Sequence, residues 1–130
     1  MTLIRTLLAG LVAVALLGSL PASAAEWQEF TPDALAAAKA DGKPILVDVF
    51  AAWCPTCRAQ NPILVKLTRE PKYKDLVVFK ADFDAQKDDL RALNVQRQST
   101  LIVLKGDKEL DRSVGDTNQL SIEGMLDKTL

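Results

Sequence analysis

Two cysteines stand close together at Cys54 and Cys57, and they are the side chains with the greatest capacity for chemistry in this 130-residue chain. The chain contains no histidine. This excludes Ser-His and Cys-His nucleophile pairs, the H-E-x-x-H metalloprotease helix and zinc sites with histidine ligands. Any reaction must therefore use cysteine, carboxylate, lysine or hydroxyl groups.

The spacing Cys-Pro-Thr-Cys favours a disulfide that opens and closes. The stabilisation from a structural disulfide grows with the loop that it closes, and this loop is very short. Thiol–disulfide exchange is the chemistry that such a pair serves best. A structural zinc ion needs four ligands, which disfavours a metal site within one chain. A metal ion or iron–sulfur cluster shared between two chains is the alternative interpretation.

The start of the chain has the pattern of a secretory signal peptide. Arg5 precedes an apolar run at residues 7–17, and Ala22-Ser23-Ala24 forms a small-residue cleavage pattern. We therefore predict a signal peptide at 1–24, a mature domain at 25–130 and a periplasmic or secreted location. The uncharged stretch is also long enough for an uncleaved membrane anchor, which would leave the domain attached to a membrane.

Charge and composition exclude several classes of protein. The chain has 16 Lys and Arg against 17 Asp and Glu, a net charge of −1, so it lacks the basic excess of a nucleic-acid-binding protein. Apolar residues make up 48%, with 6 Gly and 6 Pro, which excludes a disordered or collagen-like chain. The length allows one domain.

The apolar runs and turn residues predict the element order α-β-α-β-α-β-β-α. Alternating strands and helices are typical of an α/β fold with parallel crossovers, and Gly106-Asp107 predicts a C-terminal antiparallel hairpin. Pro55 suits the first turn of the second helix, and Pro62 should kink that helix. Helices are expected near 31–40, 55–70, 85–93 with Asp84 as its N-cap, and 118–129; strands are expected at 45–50, 76–81, 100–105 and 109–114.

Several residues at fixed distances from the cysteines give this chain a family resemblance. Trp-Cys-Pro-Thr-Cys follows a buried strand directly, Asp48 lies six residues before Cys54, and Pro62 lies eight residues after it. Lys80 lies in the next strand. Over residues 26–130 the sequence therefore resembles the thioredoxin superfamily. The resemblance implies a thioredoxin fold, with a central mixed sheet between helices.

Two segments are most similar to one branch of that superfamily. Residues 42–48, Gly-Lys-Pro-Ile-Leu-Val-Asp, and 51–54, Ala-Ala-Trp-Cys, resemble the exported thiol:disulfide interchange proteins. That branch includes the C-terminal domain of the transmembrane reductant conduit.

The expected chemistry assigns different roles to the two cysteines. Cys54 should lie at the N-terminus of a helix, where the positive end of the helix dipole favours the thiolate and lowers its pKa below about 8.5. Cys54 is then the nucleophile. Cys57, one turn further along and expected to be the more buried of the two, resolves the mixed disulfide. Pro55 and Thr56 should contribute to substrate binding and tune the reduction potential of the site.

The resemblance assigns roles to three further residues. Asp48 is expected to be buried, to have a raised pKa, and to take the proton from Cys57 through a water molecule. Lys80 is expected to be its partner, and Trp53 to shield the site and offer a flat docking surface. The alternatives are that Asp48 and Lys80 face solvent and that Trp53 belongs to the core.

One position departs from the family pattern. The superfamily has a cis-proline before the third central strand, whereas this chain has Gln98-Ser99-Thr100, which we assign to substrate binding. A cis peptide bond before a residue other than proline costs about 2.5–4 kcal/mol, so we expect a trans Gln98–Ser99 bond rather than a strained cis bond. The Ser99 hydroxyl could donate to the Cys54 thiolate and lower its pKa. The alternative is that Ser99 faces solvent.

Together these features predict an extracytoplasmic thiol–disulfide oxidoreductase that acts as a monomer on protein dithiols and disulfides. It would need no cofactor or metal beyond its own disulfide, would bind no nucleic acid, and would exchange electrons with a redox partner protein such as a membrane reductase or oxidase. Two other functions stay open. One is a redox-inert binding module that uses the Ser99 face, and the other is a metal or iron–sulfur carrier that dimerises through its cysteines.

Overall fold

A five-stranded mixed sheet between helices forms the part of the chain that the computed structural model describes, residues 24–130. The predicted leader at 1–24 lies outside the described residues except for Ala24. The strands are β1 Glu26–Glu29, β2 Pro44–Phe50, β3 Val77–Asp82, β4 Thr100–Lys105 and β5 Lys108–Val114; the helices are α1 Pro32–Ala40, α2 Pro55–Thr68, α3 Lys87–Ala92 and α4 Gln119–Asp127, with a 3-10 turn at Pro71–Tyr73.

The central strand, β2, carries the chain toward the cysteines. The strand order is β1-β3-β2-β4-β5, and β2 runs parallel to β3 and antiparallel to β4. Residues 45–49 of β2 are all buried, because a central strand that is apolar on both faces is covered by helices on both sides. β4 and β5 form the predicted antiparallel hairpin. The expected α/β thioredoxin fold is confirmed.

Alternate residues of β2 face two separate cores. Val47 packs in the cluster that contains Leu90 of α3, whereas Leu46 packs in the cluster that contains Leu64 of α2. Side chains along a strand alternate between its faces, so Asp48 lies on the same face as Leu46. This alternation directs the Asp48 carboxyl toward α2, the helix that begins at the cysteines.

The first strand, β1, is an addition to the predicted elements. It pairs in parallel with β3 at the sheet edge, and Glu26 lies level with Ile45 through their shared partner Val77. The chain therefore enters the sheet at the end where β2 begins, whereas Cys54 follows the opposite end. Within residues 24–130, no helix combines the length and the apolar character needed to cross a bilayer.

The third helix differs from its prediction. α3 begins at Lys87, and Asp84 is not its N-cap. The Asp82 carboxylate instead accepts the backbone N–H groups of Asp84 and Ala85, which forms a turn between β3 and α3. This turn leaves the Asp84 carboxylate free to accept a hydrogen bond from Trp53.

Candidate active site

The two cysteines form a disulfide at the start of α2. Cys54 is the N-cap residue, and Pro55 occupies the first helical position, which needs no N–H donor. Cys54 Sγ accepts the backbone N–H of Cys57 at 3.1 Å, and the Cα atoms of the two cysteines are 5.3 Å apart. A thiolate at Cys54 would thus lie at the positive end of the helix dipole with one backbone donor already in place.

The relative burial of the two cysteines corrects one expectation. Cys54 is 1% exposed and Cys57 is 7% exposed, so Cys57 is not the more buried of the pair. Both cysteines pack against Ala51, and Cys54 Sγ also lies 3.1 Å from the hydroxyl of Ser99. The turn that carries Ser99 therefore contacts the sulfur that was expected to be the more accessible one.

Ser99 lies directly beside the disulfide. It is 3% exposed, and its Oγ is 3.1 Å from Cys54 Sγ and 3.2 Å from Cys57 Sγ. The alternative that Ser99 faces solvent is therefore wrong. No peptide bond among residues 24–130 is cis, which confirms the trans bond expected between Gln98 and Ser99.

The backbone of Ser99 is fixed by its neighbours. Its φ is +60°, a left-handed conformation that is strained for a residue with a side chain. Its N–H donates to the Val49 carbonyl at 2.8 Å, and its carbonyl accepts the Gly115 N–H at 2.9 Å and the Gln60 amide at 3.3 Å. Three hydrogen bonds thus hold a strained residue in place.

The neighbours of Ser99 in the sequence have different surroundings. Gln98 is half-buried, and Thr100 is buried with its hydroxyl donating to the Arg97 carbonyl at 2.6 Å. We assigned all three residues to substrate binding, but the Thr100 side chain does not fit that assignment. It closes the turn where β4 begins, so its hydroxyl is already used within the fold.

Asp48 and Lys80 form the ion pair that the sequence analysis expects. The Asp48 carboxylate is buried and lies 3.6 Å from Lys80 Nζ, opposite it on the neighbouring strand. Burial raises the pKa of Asp48, and the attraction of the Lys80 ammonium offsets part of that rise. Lys80 Nζ also donates to Asn61 of α2 at 3.1 Å and lies 4.7 Å from the centre of the Phe50 ring. The alternative that Asp48 faces solvent is wrong, and Lys80, whose side chain is 33% exposed, reaches the Asp48 carboxylate from the partly open side.

The surface around the disulfide is formed by residues that follow β2. Trp53 is 57% exposed, which excludes its assignment to the core, and its indole N–H donates to Asp84 Oδ2 at 2.8 Å. Pro55 is exposed and Thr56 is half-buried. Trp53 and Pro55 therefore form an exposed rim next to buried sulfurs.

Gln60, a buried residue of α2, is a site residue that is not among those predicted from the sequence. Its Nε2 donates to the carbonyls of Ser99 at 3.3 Å and Asp116 at 2.8 Å, so it ties α2 to the turn that carries Ser99. Its Oε1 is buried without a hydrogen-bond partner among the described residues. The signal was present in the sequence: Gln60 lies one helical turn after Cys57, on the side of the helix that faces the core.

A metal site in the described part of the chain would require a cluster of side chains with metal-binding potential. Residues 24–130 contain no group of three or more Cys, Asp and Glu side chains that could hold a metal ion, and both cysteines take part in the disulfide.

The fold and site define a class of protein: an α/β domain with a disulfide at a helix N-terminus beside a buried acid. The family model described as Thioredoxin matches residues 25–128, and the chain belongs to the thioredoxin family.

Individual relatives agree with that membership. A thioredoxin H-type from Brassica campestris is 41% identical over 81 residues, which is 62% of this chain and 64% of the relative. A thioredoxin from Chlamydia muridarum (strain MoPn / Nigg) is 36% identical over 84 residues, covering 65% and 80% of the two chains. The match thus spans less than two thirds of the length of the Brassica relative.

Solved structures share the fold. Trxlp from Edwardsiella tarda EIB202 superposes with a TM-score of 0.75 at 40% identity, covering 78% of this chain and 98% of the other. Thioredoxin NaTrxh from Nicotiana alata gives a TM-score of 0.70 at 27% identity, covering 82% and 94%.

Proposed function

We propose that this protein is an extracytoplasmic thiol–disulfide oxidoreductase that exchanges disulfides with protein substrates through Cys54 and Cys57. The observation that carries the proposal is the Cys54–Cys57 disulfide at the N-terminus of α2, where the Cys57 N–H donates to Cys54 Sγ. A helix N-terminus stabilises a thiolate more than a disulfide, so this position favours opening of the bond and a reactive Cys54 thiolate. Membership of the thioredoxin family supports the same activity.

The reducing half of the reaction transfers two electrons. The Cys54 thiolate attacks one sulfur of a substrate disulfide, the substrate S–S bond breaks, and one substrate thiolate leaves and is protonated. Cys57 then loses its proton and attacks Cys54 Sγ. The mixed disulfide breaks, a second substrate thiolate leaves, and the Cys54–Cys57 disulfide forms. A dithiol of a partner protein restores the reduced state, and the reverse sequence oxidises a substrate.

Asp48 is the proton acceptor in this scheme. It lies on the α2 face of β2, it is buried, and its pKa is raised, so it can take up a proton that a carboxylate in water would not hold. Lys80 balances the negative charge of Asp48 from 3.6 Å away. The proton of Cys57 would reach Asp48 through a water molecule.

Substrates would dock on the rim around the disulfide. Trp53 and Val114 are large apolar side chains that are more than half exposed, and Val114 lies opposite Thr100 in the hairpin, next to Ser99. Pro55 and Gln98 complete this rim. Exposed apolar side chains of this kind suit an extended segment of a protein partner, which can cover them and place its own disulfide against Cys54.

The compartment is proposed from the first 24 residues, which have the signal-peptide pattern. The family match begins at residue 25, the residue that would follow cleavage. In this compartment the protein would work as a monomer and exchange electrons with a redox partner such as a membrane reductase or oxidase. An uncleaved leader would keep the domain on the membrane with the same chemistry.

Reduction of insulin disulfides by a dithiol tests the activity. The mature domain, residues 25–130, should accelerate insulin reduction, and Cys54→Ser should abolish the acceleration. The Asp75→Asn variant, which changes an exposed carboxylate far from the sulfurs in the sequence, serves as the matched control and should match the wild type. If the wild type does not accelerate reduction, the proposal is wrong and a redox-inert binding module becomes the better interpretation.

A further inference from the structure

We propose that Ser99 is a catalytic residue: its hydroxyl donates a hydrogen bond to whichever cysteine sulfur carries negative charge, and Gln60 is the positioning residue that holds it there. This inference rests on the proposed exchange function and adds a chemical group to it.

The first observation is that the Ser99 hydroxyl reaches both sulfurs. Its Oγ lies 3.1 Å from Cys54 Sγ and 3.2 Å from Cys57 Sγ. Ser99 is buried, and the two sulfurs are the only hydrogen-bond partners of this hydroxyl among residues 24–130. A buried hydroxyl needs a partner, and here the sulfurs provide it.

Second, the hydrogen bond from the Ser99 hydroxyl to Cys54 should differ in strength between the two redox states. A disulfide sulfur is a weak acceptor, whereas hydrogen bonds to an ionised group are roughly twice as strong as neutral ones. Opening the disulfide therefore strengthens the contact between Ser99 and Cys54. The Cys54 thiolate would then have two donors, the Ser99 hydroxyl and the Cys57 N–H, which lies 3.1 Å from the same sulfur in the disulfide form.

The third observation is that the fold maintains Ser99 in a strained conformation. A non-glycine residue at φ +60° persists only when its surroundings determine it, and such residues concentrate at functional sites. Gln60 supplies one of these constraints. Its buried amide joins the carbonyls of Ser99 and Asp116, although its own Oε1 has no partner among the described residues. A buried amide with an unpaired oxygen costs free energy that an apolar side chain would avoid.

The hydroxyl can follow the charge through the reaction without giving up its proton. When the Cys54 thiolate forms a bond to a substrate sulfur, Cys54 becomes neutral and the hydroxyl is released from it. Cys57 then loses its proton to Asp48 and becomes the charged sulfur, still within reach of Ser99 Oγ. As Cys57 attacks Cys54, the substrate thiolate leaves, and the two electrons pass to the substrate.

The test is a pH titration of the thiolate absorbance in the reduced protein. Ser99→Ala and Ser99→Gly both remove the hydroxyl. Glycine also relieves the backbone strain at positive φ, so Ser99→Gly can still be titrated if Ser99→Ala folds poorly. Both variants should raise the Cys54 pKa by about one unit, the size expected for a hydrogen bond to a charged group.

Ser113→Ala is the matched control. Ser113 lies on β5 opposite Leu101, and its hydroxyl is buried without a hydrogen-bond partner among the described residues. The substitution removes a hydroxyl group at a position outside the disulfide site and should leave the titration of the Cys54 thiolate unchanged.

Equilibration with glutathione gives a second measurement on Ser99→Ala. Loss of the hydrogen bond destabilises the thiolate of the reduced form, so the equilibrium should shift toward the disulfide by up to tenfold, or about 30 mV.

Gln60→Met tests the positioning role, because methionine has a similar volume and no donor. It should raise the Cys54 pKa in the same direction as Ser99→Ala, and the double variant should titrate like Ser99→Ala alone, since both changes act on one hydrogen bond. Additive shifts would show that Gln60 acts independently of Ser99.

The outcomes separate this inference from the proposed function. If Ser99→Ala and Ser99→Gly titrate like the wild type while insulin reduction continues, Ser99 is not a catalytic donor and the oxidoreductase stands. If the wild type fails to reduce insulin but the Ser99 variants still shift the titration, the hydrogen bond exists and the oxidoreductase function is wrong.

Discussion

Asp48 is an ionisable side chain in the middle of an apolar strand, and its pKa makes the stability of the protein depend on pH. Burial raises this pKa above the ordinary value of 3.8, so the folded protein holds the Asp48 proton to a higher pH than the unfolded chain does. The contribution of Asp48 to the free energy of unfolding is therefore most favourable below pH 3.8. This contribution is lost as pH rises through the folded pKa, because the carboxyl then ionises inside the protein.

Replacement of Asp48 by asparagine should remove that pH dependence, because the asparagine side chain does not titrate. Asp48→Asn should be more stable than the wild type at neutral pH by about 1–3 kcal/mol, because the buried charge is removed, and the difference should vanish at acid pH. Denaturant midpoints measured across the pH range give this difference. The same variant should slow the resolving step in single-turnover reduction. Equal stability at all pH values together with an unchanged rate would contradict the role of Asp48.

The two cysteines should differ in the complexes that they trap. In Cys57→Ser, the Cys54 thiolate at the helix N-terminus still attacks, but no thiol resolves the mixed disulfide. In Cys54→Ser, the remaining thiol lies one turn inside α2, where the helix N-terminus favours a thiolate less. Non-reducing gels of a periplasmic extract should therefore show many adducts of Cys57→Ser and few of Cys54→Ser. Equal trapping would contradict the assigned roles.

Local sequence signals predict some helices and strands of this fold correctly and miss others. Thr31 and Pro32 begin α1 as expected, with the Thr31 hydroxyl accepting the Ala34 N–H, because an N-cap acts within one turn. The edge strand β1 is not predicted, because four half-exposed residues carry little pattern and depend on pairing with β3. The start of α3 is missed for a similar reason: the Asp84 carboxylate binds Trp53, which is far away in the sequence.

In the site, too, some contacts can be predicted from the sequence and others depend on residues that are distant in the chain. The order of the residues predicts which groups meet: Cys54 with Cys57 in one helix, and Asp48 with Lys80 across two strands. The sequence alone could not predict that the Ser99 turn buries Cys54, since this depends on the bond that Ser99 donates to Val49 and on those that it accepts from Gly115 and Gln60. Long-range backbone bonds of this kind leave no periodic pattern in the sequence.

Two glycines in the C-terminal part of the chain should respond in opposite ways to one substitution. Gly115 follows β5 with φ +74°, and Gly124 lies within α4; a Cβ at either position would meet no atom within 4 Å. Gly115→Ala should therefore lower the free energy of unfolding by about 1–2 kcal/mol through backbone strain alone. Gly124→Ala should raise it by about 0.5–1 kcal/mol. Urea midpoints measure both, and a loss of stability in both variants would contradict this account.

At the scale of the whole molecule, the proposed signal peptide at 1–24 would determine the compartment in which the protein works. When the full chain is expressed in a bacterium, the periplasmic fraction should contain a protein whose intact mass corresponds to residues 25–130. Ala24→Tyr, which replaces the small residue before the cleavage site, should yield an uncleaved product. A full-length wild-type protein in the membrane fraction would identify an anchor instead, and recovery from the cytoplasm alone would contradict export.

The parallel arrangement of β1, β2 and β3 gives the domain two distinct poles. The chain enters at the end of the sheet where Glu26 lies level with Ile45, and the disulfide follows the other end of β2. From Ile45 to Phe50 the strand rises about 16 Å. A bead, electrode or carrier protein coupled through the N-terminus of the mature domain would therefore hold the domain by the pole opposite its sulfurs. Immobilised in this way, the domain would present Trp53 and the disulfide outward to its partners.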